Sequence, residues 1–280
     1  MRRAAVLGHP VSHSLSPVLH SAAYGALGLD WTYEAIDVDV PQFEGFLGDL
    51  GDEWAGLSLT MPLKTEAARL ADFVEPQAKL VGPVNTLIPS GLGEYRHWVG
   101  ANTDIHGITA SFREAGVSRC GSALIIGGGA TATSALAAFA SIGATSLSVA
   151  VRDRTRAGAL MRTANRLGVT VRILDIEKEE TITALTRVDA VMSTIPVVAG
   201  SQLAVRLSDA EATTPGVLLD AVYAPVSTPL AESWVAAGGT FVSGVRMLLH
   251  QAGEQVRLMT GREAPLTVMD LALSRLLTPF

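Results

Sequence analysis

A glycine-rich turn between an apolar strand and a small-residue helix constrains the fold of this chain most. Residues 122–126, SALII, are predicted to form a buried strand, and GGGATA follows at residues 127–132. This matches G-x-G-x-x-G/A, in which Gly127 allows a tight turn, Gly129 lets the backbone approach a pyrophosphate, and Ala132 lets helix and strand pack closely. The helix N-terminus would face the anion. The residues assigned to a dinucleotide are Gly127, Gly128, Gly129 and Ala130. A glycine-rich turn without a ligand is the alternative.

The end of the next strand bears on the choice between NAD and NADP. An acidic residue there would bind the ribose diol of NAD, and an arginine would bind the 2′-phosphate of NADP. The sequence VRDRTR at residues 151–156 has both. Three arginines outweigh one aspartate, and guanidinium is the better phosphate ligand, so NADP is favoured and NAD stays open. The candidate residues are Arg152, Asp153, Arg154 and Arg156. Alternatively, Asp153 caps the next helix or pairs with a neighbouring arginine.

Composition excludes several classes of protein. A length of 280 residues suggests two domains, and 48% hydrophobic with 17% charged residues indicates a well-buried globular chain. A net charge of −6 without a basic run argues against a nucleic-acid surface. One cysteine, Cys120, excludes an internal disulfide, and the spacing of His and Cys predicts no metal site. No membrane span or signal peptide is expected, which predicts a cytoplasmic protein without a membrane partner.

Predicted strands alternate with predicted helices, which indicates an α/β fold with mostly parallel sheets. In the first hundred residues the strands are 4–8, 32–37, 56–59 and 84–88, and the helices are 17–27, 42–50 and 64–71. From Ser122 onwards the pattern is a run of βα units, and residues 244–260 and 266–277 form two terminal helices. We therefore predict a substrate-binding domain at 1–103 plus 244–280, onto which the terminal helices pack, and a Rossmann-like, doubly wound dinucleotide-binding domain at 104–243.

The stretch VSHSLSP, residues 11–17, places several polar side chains between a predicted strand and the start of a predicted helix. Ser16 as N-cap and Pro17 as the first helical residue would explain only the end of the stretch. Since alternate side chains of an extended segment share one face, Ser14 and Ser16 can offer two hydroxyls to the same small, carboxylated or polyhydroxylated molecule.

Lys64 and Asp104 are candidates for acid–base chemistry. Lys64 falls in the first turn of a predicted helix, where the macrodipole disfavours a cation. A solvated lysine tolerates this position, whereas one facing a cleft would be suited to proton transfer. Asp104 opens another predicted helix, so it either caps that helix or orients the ammonium group of Lys64.

Eight segments, in order, resemble the shikimate dehydrogenase family over nearly the whole chain. They are SHSLSP, LTMPLK, VGPVNTL, GANTD, GGGATA, STIP, DAVYAP and GVRMLLHQAGEQVRLMTG. The resemblance implies two domains facing a cleft and reversible reduction of 3-dehydroshikimate to shikimate by NADPH, in the biosynthesis of chorismate and the aromatic amino acids. It implies that Ser14 and Ser16 hold the substrate carboxylate and that Lys64 and Asp104 are the catalytic pair. The further substrate contacts it implies are Thr60, Asn85, Tyr223 and Gln251.

This chain departs from the family pattern at three places. The usual Asn-Val-Thr is Ser58-Leu59-Thr60, so a hydroxyl replaces one supporting amide. The usual Asn-Arg-Thr of the NADP clamp is Val151-Arg152-Asp153, which keeps only the arginine. Pro83 stands where relatives have alanine, a change for which the sequence offers no explanation.

Two other functions stay open at this point. An NAD-preferring quinate/shikimate dehydrogenase would share the scaffold and differ in the ribose clamp. A sensor on the same fold would bind NADP and shikimate without turnover, although a cation kept at a helix start argues against it. The oligomeric state is not readable from the sequence, so a homodimer is left open.

Overall fold

The computed structural model describes residues 1–277, apart from the side chains of Glu94 and Arg156. The chain divides into two compact units. Unit 1 consists of Met1–Thr103 with the C-terminal segment that begins at Leu248, and unit 2 is Asp104–Met247.

Unit 1 is built on a six-stranded mixed sheet. Its elements before the C-terminal segment are β1 (Arg2–Gly8), α1 (Ser16–Ala26), β2 (Trp31–Asp37), α2 (Val40–Gly48), β3 (Trp54–Leu59), α3 (Lys64–Leu70), β4 (Phe73–Val74), α4 (Pro76–Val81), β5 (Thr86–Ser90) and β6 (His97–Ala101). The strand order is β2-β1-β3-β5-β6-β4. Strand β1 runs parallel to both neighbours, and β5 runs antiparallel to β3 and β6. The antiparallel pairing of β5 with β6 follows from the short connection between them, because a short connection can join only antiparallel neighbours.

The C-terminal helices complete unit 1. They are α11 (Gly244–Thr260), within which the division between the units falls, and α12 (Leu266–Leu277). Helix α12 packs against α1, and the Tyr24 hydroxyl of α1 lies 3.8 Å from the sulfur of Met259. The prediction that these helices pack back onto the first α/β layer is confirmed.

Unit 2 is a doubly wound α/β fold with an entirely parallel sheet. Its elements are α5 (Asp104–Glu114), β7 (Ser122–Ile126), α6 (Ala130–Ser141), β8 (Ser146–Val151), α7 (Gly158–Leu167), β9 (Val171–Asp175), α8 (Glu179–Leu185), β10 (Ala190–Ser193), α9 (Val197–Asp209), β11 (Val217–Asp220), α10 (Pro229–Ala236) and β12 (Thr240–Ser243). The strand order β12-β11-β10-β7-β8-β9 starts at β7 and winds outward in both directions. This confirms the Rossmann-like fold class, in which ligands bind beyond the carboxyl ends of the strands at the point of reversal.

Helix α1 begins one residue earlier than the sequence indicates. Leu15 already has helical backbone angles, φ −84° and ψ −6°, so Ser16 is the first helical residue and not the N-cap. The Ser14 hydroxyl oxygen instead accepts a hydrogen bond from the Ser16 N–H at 3.3 Å. The predicted N-cap role of Ser16 is therefore wrong.

Candidate functional site

The loop that carries Ser14 and Ser16 is tied to the end of β2 by Asp37. The His9 imidazole Nδ1 lies 2.5 Å from Asp37 Oδ1, and the Val11 N–H donates to Asp37 Oδ2 at 3.3 Å. The hydrogen bond and charge of Asp37 raise the pKa of His9, and the same hydrogen bond lowers the pKa of Asp37. The two serines thus stand on an anchored loop.

Ser16 is held through its backbone. It is buried, and its carbonyl accepts a hydrogen bond from His20 Nδ1 at 2.9 Å. The His20 ring stacks on Tyr33 with a centroid distance of 3.9 Å. Burial lowers the pKa of His20 to about 4, so this imidazole is neutral at physiological pH.

Thr60, Lys64 and Asn85 come together at the carboxyl ends of β1 and β3. The Thr60 N–H donates to the carbonyl of Leu7 at 2.9 Å, which joins the end of β3 to β1. The Lys64 carbonyl accepts from the Val84 N–H at 2.9 Å, next to Asn85. Lys64 is half-buried and is the first residue of α3, as the sequence predicts.

The structure also brings Asn85 and Gln251 together. The Asn85 side-chain oxygen accepts from the Thr103 N–H at 2.8 Å and from the Thr86 hydroxyl at 2.9 Å. Its amide nitrogen donates to Thr103 Oγ1 at 3.1 Å and to Gln251 Oε1 at 3.2 Å. Five of the predicted substrate residues, Ser14, Ser16, Thr60, Asn85 and Gln251, therefore belong to unit 1.

Asp104 and Tyr223 belong to unit 2. Asp104 is buried and is the first residue of α5, and its pairing with Lys64 stays a prediction. Tyr223 is half-buried in the loop after β11, and burial raises the pKa of its hydroxyl.

Asp220 organises the loop that carries Tyr223, and sequence reasoning missed it. Its buried carboxylate accepts from the Val222 N–H at 3.2 Å and from the Thr228 hydroxyl at 2.8 Å. Thr228 in turn caps α10 by accepting from the Ala231 N–H. Burial raises the pKa of Asp220. The sequence signal was an acid that directly ends the apolar strand VLLD.

The glycine turn lies at the carboxyl end of β7, at the point where the winding of the sheet reverses. Gly127 has φ +114°, and a Cβ there would lie 2.3 Å from the Thr194 hydroxyl oxygen, so only glycine fits. Gly129 precedes α6 as its N-cap, and a Cβ there would meet no described atom within 4 Å. Open space in front of a helix N-terminus with unpaired backbone N–H groups suits the pyrophosphate of a dinucleotide.

Asp153 has a structural role at the end of β8. Its carboxylate accepts from the Thr155 N–H at 2.9 Å and from the Thr155 hydroxyl at 2.7 Å. It thereby caps a 3₁₀ turn at Arg154–Ala157, and α7 begins only at Gly158. The predicted cap is thus on this turn and not on the helix, since the N-cap of α7 is Ala157, and pairing of Asp153 with an arginine stays a prediction.

Of the neighbouring arginines, Arg152 and Arg154 have exposed side chains. The side chain of Arg156 lies outside the described part of the chain.

Sequence reasoning missed most of the hydrogen-bonding shell behind Asn85. Tyr33, Thr86, Thr103 and Gln255 contribute to it, together with Ser58. Two signals were available: Ser58 is polar within an apolar strand, and Gln255 follows Gln251 by four residues, on the same helix face.

No group of three or more His, Cys, Asp or Glu side chains among residues 1–277 is arranged to hold a metal ion. None of the described helices is long and apolar enough to cross a membrane.

Comparison with known proteins gives consistent matches along the chain. The model of the shikimate dehydrogenase substrate-binding domain matches residues 6–87, and that of the shikimate 5′-dehydrogenase C-terminal domain matches residues 244–272. A relative from Halobacterium salinarum, named shikimate dehydrogenase (NADP(+)), is 37% identical over 277 residues, which cover 96% of this chain and 97% of the relative.

Solved structures agree with this match. Shikimate dehydrogenase from Mycobacterium tuberculosis superposes with a TM-score of 0.89 at 39% identity, over 98% of this chain and 100% of that one. Shikimate 5-dehydrogenase from Thermus thermophilus, in complex with NADP(H) and shikimate, superposes with a TM-score of 0.81 at 30% identity. That alignment covers 98% of this chain and 99% of the other.

Proposed function

The chain belongs to the shikimate dehydrogenase family, and from this premise we propose that it catalyses the reversible, NADPH-dependent reduction of 3-dehydroshikimate to shikimate. It is an NADP-dependent oxidoreductase that acts on a CH–OH group, in the biosynthesis of chorismate and the aromatic amino acids. The observation that carries the proposal is that backbone hydrogen bonds place Thr60, Lys64 and Asn85 near one another beyond the carboxyl ends of β1 and β3, with the Asn85 amide hydrogen-bonded to Gln251. This region offers a proton-transfer group beside donors for a polyhydroxylated acid.

Unit 1 supplies most of the proposed substrate contacts. Ser14 and Ser16, on the loop anchored by Asp37, hold the carboxylate of shikimate. The hydroxyl and amide groups of Thr60, Asn85 and Gln251 bind further oxygens of the substrate. Tyr223 of unit 2 adds a contact from its loop.

Unit 2 supplies the proposed nucleotide site. The backbone from Gly127 to Ala130 holds the pyrophosphate at the N-terminus of α6, since there is open space at Gly129 and no side chain caps this helix end. Arg152, Arg154 and Arg156 hold the 2′-phosphate, for which guanidinium groups are suited. NADPH, when bound, supplies the hydride.

Lys64 is the proposed general acid of the reduction and the general base of the reverse reaction. Its ammonium group gives a proton to the substrate oxygen that changes from ketone to hydroxyl. Because the first turn of a helix disfavours a cation, Lys64 needs a carboxylate partner to keep and orient its proton, and Asp104 is assigned that role.

The test is turnover of shikimate by the purified protein, followed as NADP⁺ reduction, with a lysine pair as variant and control. Lys64→Ala should lower kcat by roughly 10²–10⁴-fold, the usual contribution of a general acid or base. Lys79→Ala, at an exposed position in α4, should leave kcat unchanged. Near wild-type turnover by Lys64→Ala would refute the assigned role, and binding of shikimate and NADP⁺ without any turnover would favour a sensor.

The NAD-preferring quinate/shikimate dehydrogenase is the second candidate, because Asp153 stands at the ribose end of β8. Its cap of the 3₁₀ turn favours NADP, since the carboxylate is already hydrogen-bonded to Thr155. Asp153→Asn keeps a cap acceptor and removes the charge. An unchanged ratio of kcat/KM for NADP⁺ and NAD⁺, with shikimate and with quinate, would show that Asp153 does not bind the ribose.

A cytoplasmic location stays a prediction.

A further inference from the structure

A continuous set of hydrogen bonds runs through the interior of unit 1 behind the proposed substrate contacts. The Tyr33 hydroxyl donates to Ser58 Oγ at 2.6 Å, and the Ser58 hydroxyl donates to Gln255 Oε1 at 2.9 Å. Gln255 Nε2 donates to Thr86 Oγ1 at 3.1 Å, and the Thr86 hydroxyl donates to Asn85 Oδ1 at 2.9 Å. All five side chains are buried, so water does not compete for these groups.

The direction of this buried chain is set by two backbone groups. The carbonyl of Asn85 can only accept, and Gln255 Nε2 lies 3.4 Å from it. Gln255 Oε1 therefore faces Ser58, whose hydroxyl must donate to it. At the other end the Thr103 N–H can only donate, and it lies 2.8 Å from Asn85 Oδ1. With these two ends fixed, the hydroxyls of Ser58 and Thr86 can each accept and donate in only one direction. Ser58 donates to Gln255, and Thr86 accepts from Gln255 and donates to Asn85.

The chain continues from Asn85 to Gln251. With Oδ1 held by Thr103 and Thr86, Asn85 presents Nδ2 to Gln251 Oε1 at 3.2 Å. The Thr103 hydroxyl lies 3.3 Å from the same Gln251 oxygen. An amide whose oxygen is held in this way directs its nitrogen to the opposite side, so Gln251 offers Nε2 as a donor.

We propose that Ser58, Gln255 and Thr86 are positioning residues that help to hold the side-chain amides of Asn85 and Gln251 in the direction set by the Thr103 N–H, so that Gln251 offers an N–H donor to a substrate oxygen. The proposal rests on the proposed function for the identity of the substrate. An amide can turn over with little change in shape, and only its hydrogen-bond partners decide which end is oxygen. Without the Thr86 hydroxyl, the Thr103 N–H alone would hold the Asn85 oxygen, so both amides would be less firmly oriented and binding of the substrate would weaken.

The test interrupts the buried chain at Thr86 and compares the result with a matched control. Thr86→Val keeps the shape and removes the hydroxyl that joins Gln255 to Asn85. We expect KM for shikimate to rise about 3- to 10-fold, the value of one hydrogen bond, with little change in kcat. Thr86→Ser restores the hydroxyl and should restore KM. Thr32→Val is the control, because the Thr32 hydroxyl is buried without a partner among the described residues, and it should leave both constants unchanged.

A double-mutant cycle with Gln251→Ala separates positioning from a general loss of structure. If Thr86 acts through Gln251, Thr86→Val should have a clearly smaller effect on KM in the Gln251→Ala background than in the wild-type background. An equal rise of KM in both backgrounds, or no rise in the wild-type background, would overturn the proposal. Should Thr86→Val fail to fold, Ser58→Ala removes the hydrogen bond from Ser58 to Gln255 instead. The same changes in KM are then expected, and the same outcomes would overturn the proposal.

A second readout keeps this proposal distinguishable from the proposed function. The side-chain amide protons of Asn85 in ¹⁵N-labelled protein should be protected from exchange, because Asn85 Nδ2 donates to Thr103 and Gln251, and Thr86→Val should weaken this protection. If wild-type protein does not turn over shikimate, the proposed function fails while this measurement still decides the positioning role. Unchanged amide exchange in Thr86→Val would overturn that role even in an active enzyme.

Discussion

A methyl group added at Gly129 should separate nucleotide binding from folding, with Gly127 as the contrasting position. The two glycines belong to the same turn, yet their surroundings differ. A Cβ at Gly129 would meet no described atom within 4 Å, and the backbone there is extended, with φ −88° and ψ −168°. A Cβ at Gly127 would lie 2.3 Å from the Thr194 hydroxyl oxygen at φ +114°.

The expected changes in the free energy of unfolding follow from these differences. Gly127→Ala carries about 1–3 kcal/mol of backbone strain and about 1–3 kcal/mol of overpacking against Thr194. It should therefore lower the free energy of unfolding by about 2–6 kcal/mol. At Gly129, alanine is a poorer N-cap but reduces the entropy of the unfolded chain, and the two effects cancel to within about 1 kcal/mol.

Gly129→Ala should weaken the binding of NADP⁺ although it leaves the free energy of unfolding almost unchanged. If the pyrophosphate lies against the backbone at Gly129, a methyl group there displaces it from at least one N–H donor. A hydrogen bond to a charged group contributes about 1.5–3 kcal/mol, which corresponds to an increase of about 10- to 150-fold in the Kd for NADP⁺.

The assay is titration of NADP⁺ into Gly129→Ala by calorimetry, with urea denaturation and the KM for shikimate measured on the same sample. We expect a weakened Kd together with wild-type stability and an unchanged KM for shikimate. A wild-type Kd in a folded Gly129→Ala protein would show that the pyrophosphate does not approach this turn, and the nucleotide site assigned to unit 2 would be wrong.

Three further predictions concern single residues. Glu211 has φ +47° at the residue after the C-cap of α9, a position that suits glycine, so Glu211→Gly should raise the free energy of unfolding by about 0.5–1 kcal/mol in urea denaturation. Glu211→Ala, which keeps the strain, should not do so, and equal gains would contradict this explanation. Asp37 raises the pKa of His9 above 6.5, so an NMR titration should show this rise, and Asp37→Asn should abolish it. The contribution of this pair to the stability of the folded protein, through His9, should be present below pH 6.5 and lost as the pH rises through the raised pKa. A His9 titration that Asp37→Asn does not change would exclude the pairing. Asp220→Ala should lower the free energy of unfolding by about 1–3 kcal/mol, because the buried hydroxyl of Thr228 loses its acceptor, and wild-type stability in the same denaturation assay would refute that role.

Local patterns were sufficient for much of the fold. The glycine turn is predictable because Gly127 needs a positive φ and Ala132 must be small and buried, requirements that act within one βα unit. The terminal helices are predictable from periodicity, and their bounds, Gly244–Thr260 and Leu266–Leu277, agree with the sequence. The start of α1 was not, because the helical backbone of Leu15 is not a property of the capping pattern Ser16-Pro17.

The sequence by itself therefore determined the α/β class, the Rossmann-like turn and the candidate residues, because each depends on neighbours along the chain. Only the tertiary structure decided which of these residues meet and how their hydrogen bonds are directed. Asn85 and Gln251 lie 166 residues apart, and Ser58 and Gln255 lie 197 apart. Whether a buried amide shows oxygen or nitrogen to its neighbour depends on the donors and acceptors that folding packs around it, and no pattern along the chain encodes that choice.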